Sequence, residues 1–321
     1  MTEFEIIRAY FATQPVQRAD VRLGIGDDAA VVQAPPSMET VITTDVLVAG
    51  VHFFDDVDPA ALGHKALAVN LSDLAAMGAA PAWFLLDLTL PKVDKAWLEA
   101  FAHGLHELAL TYQVQLIGGD TSSGPLAVAI TAIGLVPQGK SMRRDGARPG
   151  DLIYVTGTLG DAALVLAARR GEYGVTAGDV AAVRQRLERP DPRIAEGVGL
   201  RDLASSAIDI SDGLIADLGH VLEASKVGAR VNLGAIPVSA TYRAQMRKIG
   251  LDYALAGGDN YELCVTVPRA DAIRAESLAL ASGFSLTRIG EIIIGNTLEI
   301  LDSMGRPYQP KRKGYEHFTR G

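Results

Sequence analysis

The sequence predicts an α/β protein built of two domains, on three observations. The chain has 321 residues, about twice the size at which a single domain is commonest. Helix-like and strand-like patterns alternate along it instead of falling into separate blocks. Near the middle, Arg143 to Asp151 reads RRDGARPGD, with the glycine, proline and charge of a linker. The expected domains are therefore 1–142 and 143–321.

Taken in order, residues 3 to 13 read as a short helix and Glu39 to Thr44 as a strand. Pro59 to Gly78 is a long helix rich in Ala and Leu, with Pro59 suited to its first turn. Trp83 to Leu90 is a strand stopped by Pro91, Lys92 to Tyr112 is helical, and Val114 to Ile117 and Leu126 to Val136 return to strand. Beyond the linker, Leu152 to Val155 is a strand and Asp161 to Arg170 a helix. Strand and helix then alternate through Ala207 to Ile210, Leu214 to Ala224, Val265 to Val267 and Ile289 to Ile294. No short repeat, heptad seam or low-complexity tract interrupts the pattern, and the tail from Lys311, KRKGYEHF, is basic and aromatic.

Composition is that of an ordinary globular protein, 48% hydrophobic and 21% charged. A net charge of −8 argues against a nucleic-acid partner, which would call for a basic face. It does not argue against a nucleotide, because divalent cations can stand between carboxylates and phosphates. The single cysteine, Cys264, lies in the strand-like run Leu263 to Val267. It can form neither an intramolecular disulfide nor a thiolate zinc site, and its apolar context reads as a buried structural thiol. The N-terminal MTEFEIIRAYF is acidic and lacks an apolar core of secretory type. No run of about 18 apolar residues appears, so no membrane span is expected. The expected compartment is the cytoplasm.

The chemistry lies in aspartates set beside Gly, Ser or Thr where strands are expected to end. They occur as Gly26-Asp27-Asp28, Thr43-Thr44-Asp45, Asn70-Leu71-Ser72-Asp73, Gly118-Gly119-Asp120-Thr121 and Asp209-Ile210-Ser211-Asp212-Gly213. Carboxylates are hard oxygen ligands for Mg²⁺, which takes one or two from protein and the remainder from phosphates and water. Neighbouring glycines let backbone N–H groups come close to phosphate oxygens. At any single site the residues can equally be turn formers and helix caps, Ser211 above all. Asp73 resists that reading, since Leu71, Leu74 and Ala75 surround it in a helix interior. Together the five point to a phosphate site holding several metal ions, and the residues alone take the argument no further.

Gly134 to Ser141 matches the phosphate-loop pattern G-x-x-x-x-G-K-S letter for letter. That motif works only where a helix follows and aims its N-terminus at the phosphates. Here Gly146, Pro149 and Gly150 follow within a few residues, so the expectation is a loop closing the first domain. His103 and His106 share a helix face without further ligands, whereas His52, in Val51-His52-Phe53, lies close to the acidic cluster in sequence and is a candidate for substrate contact.

Gly24-Ile-Gly-Asp-Asp-Ala-Ala, Thr43-Thr-Asp, Val51-His-Phe, Lys65-Ala-Leu-Ala-Val-Asn-Leu-Ser-Asp-Leu-Ala-Ala-Met-Gly78, Gly118-Gly-Asp-Thr121, Ile208-Asp-Ile-Ser-Asp-Gly-Leu214 and Gly257-Gly-Asp-Asn-Tyr-Glu-Leu263 form an ordered set. That set resembles the motifs of the thiamine-monophosphate kinase family, over nearly the whole chain from about residue 20 to Gly314-Tyr-Glu-His-Phe318. The resemblance implies a two-domain fold shared with aminoimidazole-ribonucleotide synthetase and selenophosphate synthetase. It implies an N-terminal mixed sheet with helices that pairs into a dimeric β-barrel, a homodimer, and a C-terminal α/β sandwich. By motif position it implies magnesium at Asp27, Thr43, Thr44, Asp45, Asp73, Asp120 and Asp209, with Asp212 on a further ion. ATP would meet Gly119, Asp120, Arg144 and Ser211, and thiamine monophosphate would meet His52, Glu262 and Tyr315. Two positions depart from the family: Asp259-Asn260 stands where Glu-Asp is usual, and Ala102 stands where resembling enzymes can carry an aromatic against adenine.

The activity implied is transfer of phosphate from ATP to a phosphate monoester, which is already anionic and needs no general base to attack. A site rich in aspartate and poor in histidine suits that problem. Two rivals remain at this point: an ATP enzyme of the same fold that activates another oxygen, and a nucleotide-sensing module without catalysis. Selenophosphate synthesis lacks support, because no cysteine lies near the N-terminus, and Asp45 and Asp73, which a sensing module could lose, are both present.

Overall fold

The computed structural model describes residues 1–172, 177–312 and 314–315. The chain divides into two compact units, residues 1–74 with 79–140 and residues 75–78 with 141–321.

In the first unit, α1 (Glu3–Ile6) runs into a wide π-type turn at Ile7–Phe11. Two short strands, β1 (Val21–Leu23) and β2 (Val31–Val32), pair with each other. β3 (Met38–Val48), β4 (Ala80–Leu90), β5 (Gln115–Ser123) and β6 (Ala127–Pro137) form one sheet in the order β3-β6-β4-β5. β6 is antiparallel to both neighbours, while β4 and β5 are parallel. A parallel pair needs a crossover, and α3 (Lys95–Tyr112) supplies it; α2 (Pro59–Ala76) joins β3 to β4. Asp94 starts α3 by accepting from the backbone N–H groups of Ala96 and Trp97, a cap worth about 1 kcal/mol. Gln113 ends it in the left-handed region at φ 53°. The two helices cross closely because two positions carry no side chain. A Cβ on Gly104 would stand 1.8 Å from the Ala60 carbonyl oxygen, and one on Gly63 2.1 Å from that of Phe101.

Strand alternation gives this sheet two faces. Leu47, Phe84, Leu86, Leu88, Val128, Ile130 and Ala132 are buried on one face and share the core with Leu67, Leu71 and Leu105. The other face leaves Ile42 66% and Val46 50% exposed. One end of that face is covered by a smaller cluster of Trp83, Ile117 and Leu135 with Val21, Ala30 and Ala34.

The second unit holds a six-stranded sheet of β7 (Leu152–Thr156), β8 (Ser206–Asp209), β9 (Gly228–Asn232), β10 (Leu263–Val267), β11 (Leu286–Ile293) and β12 (Leu298–Leu301). Its order is β12-β9-β11-β7-β10-β8. Only β9 and β12 are parallel. Its helices are α4 (Asp161–Arg169), α5 (Ala177–Glu188), α6 (Ile194–Leu200), α7 (Leu214–Ser225), α8 (Ala240–Ile249), α9 (Asp252–Ala256) and α10 (Ala272–Ser282). Val155, Leu164, Ile208, Leu218, Val221, Leu255 and Ile292 lie in one continuous core. Cys264 belongs to it, and burial pushes its thiol up to about 12, as expected of a structural cysteine.

Both units are mixed α and β, and their sheets are largely antiparallel. The aspartates therefore do not collect at the ends of parallel strands. Asp45 sits inside β3 and Asp120 inside β5, Asp27 lies between β1 and β2, and only Asp209 closes its strand. No helix among the described residues is long and apolar enough to cross a membrane.

Candidate active site

In the first unit the strand period selects which residues can act together. Thr43 and Asp45, two apart on β3, share the face turned to α2. There the Thr43 hydroxyl donates a short hydrogen bond to the Asp73 carboxylate. This explains an aspartate inside an apolar helix: it is half-buried and held by a strand hydroxyl. Thr44 points the other way. Its Oγ1 donates to the Ile130 carbonyl and accepts from Thr131 Oγ1, so the expected metal set divides at this residue: adjacent strand residues face opposite sides.

Asp120 is exposed on β5, opposite Asp87 of β4, and its carboxylate accepts from Ser122 Oγ at 2.6 Å. Gly119 before it has φ +135°, and a Cβ there would stand 1.9 Å from the Leu86 carbonyl oxygen, so only glycine fits. Asp27 is exposed in the loop after β1, where Gly26 has φ +123° and the Asp27 carboxylate accepts from the Asp28 N–H. His52 follows β3 in a tight turn, and its Nδ1 accepts from the Val48 N–H at 3.0 Å. That bond assigns the ring proton of a neutral imidazole to Nε2. Ala102 is 5% exposed and part of the core of its unit.

In the second unit, β8 delivers Asp209, 3% exposed, to the loop Ile210–Gly213 that precedes α7. Backbone bonds grip this loop from several sides. Asp259 N–H donates to the Ser211 carbonyl, Tyr261 N–H to that of Ile210, and Tyr315 N–H to that of Asp212. Asp259 and Tyr261 hold φ values of 59° and 51°, left-handed conformations that cost about 1 kcal/mol or more each and recur at functional sites. Asp217 is a residue that sequence reasoning missed. It sits in the first turn of α7, 3% exposed, and one of its oxygens accepts from the backbone N–H groups of both Asp212 and Gly213, at 3.1 and 3.0 Å. Burial, with the Asp212 carboxylate nearby, pushes it up to about 7, against the pull of those hydrogen bonds and of Arg144. The sequence signal was available, since an acid in the first turn of a helix is a cap candidate.

Glu262 is fully buried. Its carboxylate accepts from Arg193 Nε and Nη2 at 2.7 and 2.8 Å, from Arg186 Nη2 at 2.5 Å and from Thr156 Oγ1 at 2.7 Å. The acid expected at a substrate faces two guanidiniums instead, because burying a carboxylate demands paired charge. Gly157 gives it room: a Cβ there would stand 2.1 Å from Glu262 Oε1. Tyr315, by contrast, is 46% exposed beside the Asp212 loop.

After β6 the chain makes a turn at Gly139, and its next regular element is a single 3₁₀ turn, Arg144–Gly146. No helix follows Lys140 and Ser141, so the phosphate-loop pattern has no phosphate-loop geometry. Arg144 is exposed on that turn, which is fastened to the end of α7 where Ser225 Oγ donates to the Arg144 carbonyl at 2.7 Å.

Among the described residues no three His, Cys, Asp or Glu side chains stand ready as a metal cage. The donors present are oxygens throughout, namely the Thr43 hydroxyl and the Asp45 and Asp73 carboxylates in one unit and Asp209 and Asp212 in the other. That set fits a hard cation which draws most of its ligands from phosphate and water.

Residues 26–136 match the N-terminal domain of the AIR synthase related proteins, and residues 148–302 match the C-terminal domain. The thiamine-monophosphate kinase of Escherichia coli strain K12 is 49% identical over 321 residues, covering 99% of this chain and 98% of that protein. A crystal structure of thiamine-monophosphate kinase from Stenotrophomonas maltophilia K279a superposes with a TM-score of 0.84 at 44% identity, over 91% of this chain and 93% of that one. AaThiL complexed with AMPPCP and TMP gives 0.78 at 32% identity over 92% of each chain. With both domains matched and a likeness that runs from end to end, the chain belongs to the thiamine-monophosphate kinase family.

Proposed function

We propose that this chain transfers the γ-phosphoryl group of ATP to the phosphate of thiamine monophosphate, giving thiamine diphosphate and ADP, the last step of thiamine diphosphate synthesis. The observation that carries the proposal is end-to-end likeness to thiamine-monophosphate kinases in a chain that keeps Asp27, Asp45, Asp73, Asp120, Asp209 and Asp212. The attacking atom is an oxygen of the acceptor phosphate, which carries about −1.5 to −2 charge at neutral pH. No side chain need remove a proton from it, and no Ser–His–Asp or Cys–His arrangement is called on.

The obstacle is the meeting of two anions, so the chain's task is to hold them in line and offset their charge. Asp27, Thr43, Asp45, Asp73 and Asp120 in one unit and Asp209 and Asp212 in the other are the residues that would hold magnesium. Magnesium, when bound, neutralises phosphate oxygens and stabilises the charge of a loose transition state. Thr44 supports its strand neighbours from the opposite face. Gly119 offers backbone close to phosphate, while Ser211 and the guanidinium fork of Arg144 meet ATP. His52 and Tyr315 meet thiamine monophosphate, the tyrosine offering a π-face to the cationic thiazolium. Glu262 acts indirectly, by holding Arg186 and Arg193.

The working molecule is a homodimer in which the first unit's sheet pairs with that of a second copy to close a β-barrel. The exposed Ile42 and Val46 on the open face of that sheet support this. The compartment is the cytoplasm, where a lone buried thiol is at home.

Acceptor choice tests the proposal. Free thiamine presents a hydroxyl that would need a base, so it should give less than about 1% of the rate with thiamine monophosphate, a gap of roughly 2.7 kcal/mol. Comparable rates with the two acceptors would refute the mechanism.

A further inference from the structure

We propose that Asp217 is a positioning residue for the reaction: it fixes the Asp212 carboxylate by accepting the N–H groups of Asp212 and Gly213, and does not itself meet ligand. The inference rests on the reading of Asp212 as a magnesium ligand. Three features of the loop support it. Asp217 is buried in the first turn of α7 and spends a single oxygen, Oδ2, on both N–H groups. Gly213 has φ +117°, and a Cβ there would stand 2.7 Å from the Ala256 backbone, so the turn is shaped by its surroundings and tolerates no side chain at its end. The carbonyls of Ile210, Ser211 and Asp212 are each held by a separate N–H, from Tyr261, Asp259 and Tyr315.

Asp212 therefore sits on a loop whose carbonyls are anchored by neighbouring segments and whose N–H groups at residues 212 and 213 are anchored by one side chain. Burying a second carboxylate close to the first is unfavourable. A hydroxyl or amide could accept the same bonds without that repulsion. What the position requires is reach: from the first turn of the helix, a two-bond side chain places an sp² oxygen within hydrogen-bond distance of two successive N–H groups, which aspartate and asparagine both do. Asparagine keeps that oxygen, whereas alanine removes it and leaves both donors to water or to nothing.

The test uses the full chain with ATP, thiamine monophosphate and a magnesium series, and compares Asp217→Asn, Asp217→Ala and Asp212→Asn. The expected result is that Asp217→Ala raises the magnesium concentration for half-maximal rate at least fivefold, as Asp212→Asn does, while Asp217→Asn stays within about twofold of the parent. A merely structural role would lower the active fraction and leave the magnesium requirement alone, so a loss of rate with an unchanged requirement in Asp217→Ala overturns the proposal. Should Asp217→Ala fail to fold, Asp217→Asn decides the matter: a fivefold rise there shows that the accepting oxygen is not what counts and overturns it as well. If Asp212→Asn leaves the requirement unchanged, the magnesium reading of Asp212 is what fails. If Asp212→Asn raises it and Asp217→Ala does not, the positioning role alone fails.

Discussion

At the scale of single residues, burial and pairing separate acids that look alike in sequence. Asp73 and Glu262 both stand beside apolar neighbours. One is half-buried and held by a threonine hydroxyl, and the other is sealed beneath two arginines. They should respond differently to loss of charge. Asp45→Asn or Asp73→Asn should lower turnover at ordinary magnesium by at least about a hundredfold, roughly 2.7 kcal/mol of transition-state stabilisation, with unfolding little changed; steady-state rates beside a denaturant titration measure both. Glu262→Gln should act on the fold, because it leaves two guanidiniums facing a neutral amide. A loss of about 3 kcal/mol or more in denaturant stability is expected, and full stability with only a raised Michaelis constant for thiamine monophosphate would return Glu262 to the substrate. The difference was not legible in the sequence. Nothing near Glu262 announces Arg186 or Arg193, which come from positions about 70 residues or more away, whereas Asp217, an acid in the first turn of α7 with partners four and five residues away, could have been read as a cap candidate.

At the scale of elements, several strongly patterned segments were legible and a number of others were not. α2, α3, β4, β6 and α7 lie close to where periodicity and proline put them, because long amphipathic or β-branched runs bury one consistent face. α5, α6, α8, α9, α10, β9 and β12 escaped notice, as did the pair β1 and β2, whose strands have three and two residues; strands that short carry little period. Of the aspartates expected at strand ends, Asp45 and Asp120 lie inside strands, Asp73 inside a helix, and only Asp209 closes its strand. The turn after β6 offers the sharpest test at this scale, since a letter-perfect phosphate-loop pattern ends there without a helix. Lys140→Ala should stay within about threefold of the parent rate, under 1 kcal/mol. Arg144→Ala should raise the Michaelis constant for ATP tenfold or more, about 1.4 kcal/mol. An inactive Lys140 variant beside a normal Arg144 variant would reverse the assignment of the nucleotide contact.

At the scale of the whole molecule, two units with different sheets each carry a share of the acids, and each matches its own family domain. The ordered motifs made the family legible in sequence because they are spread across both units, whereas any one of them reads equally well as a turn or a cap. The proposed chemistry requires the intact chain, a nucleotide and an acceptor that already bears phosphate. Its most direct test is to incubate the purified protein with ATP, magnesium and thiamine monophosphate and to quantify thiamine diphosphate and ADP together. The account predicts one thiamine diphosphate for each ADP and no product once magnesium is chelated. ADP formed without thiamine diphosphate, or no turnover at all by folded protein, would contradict it.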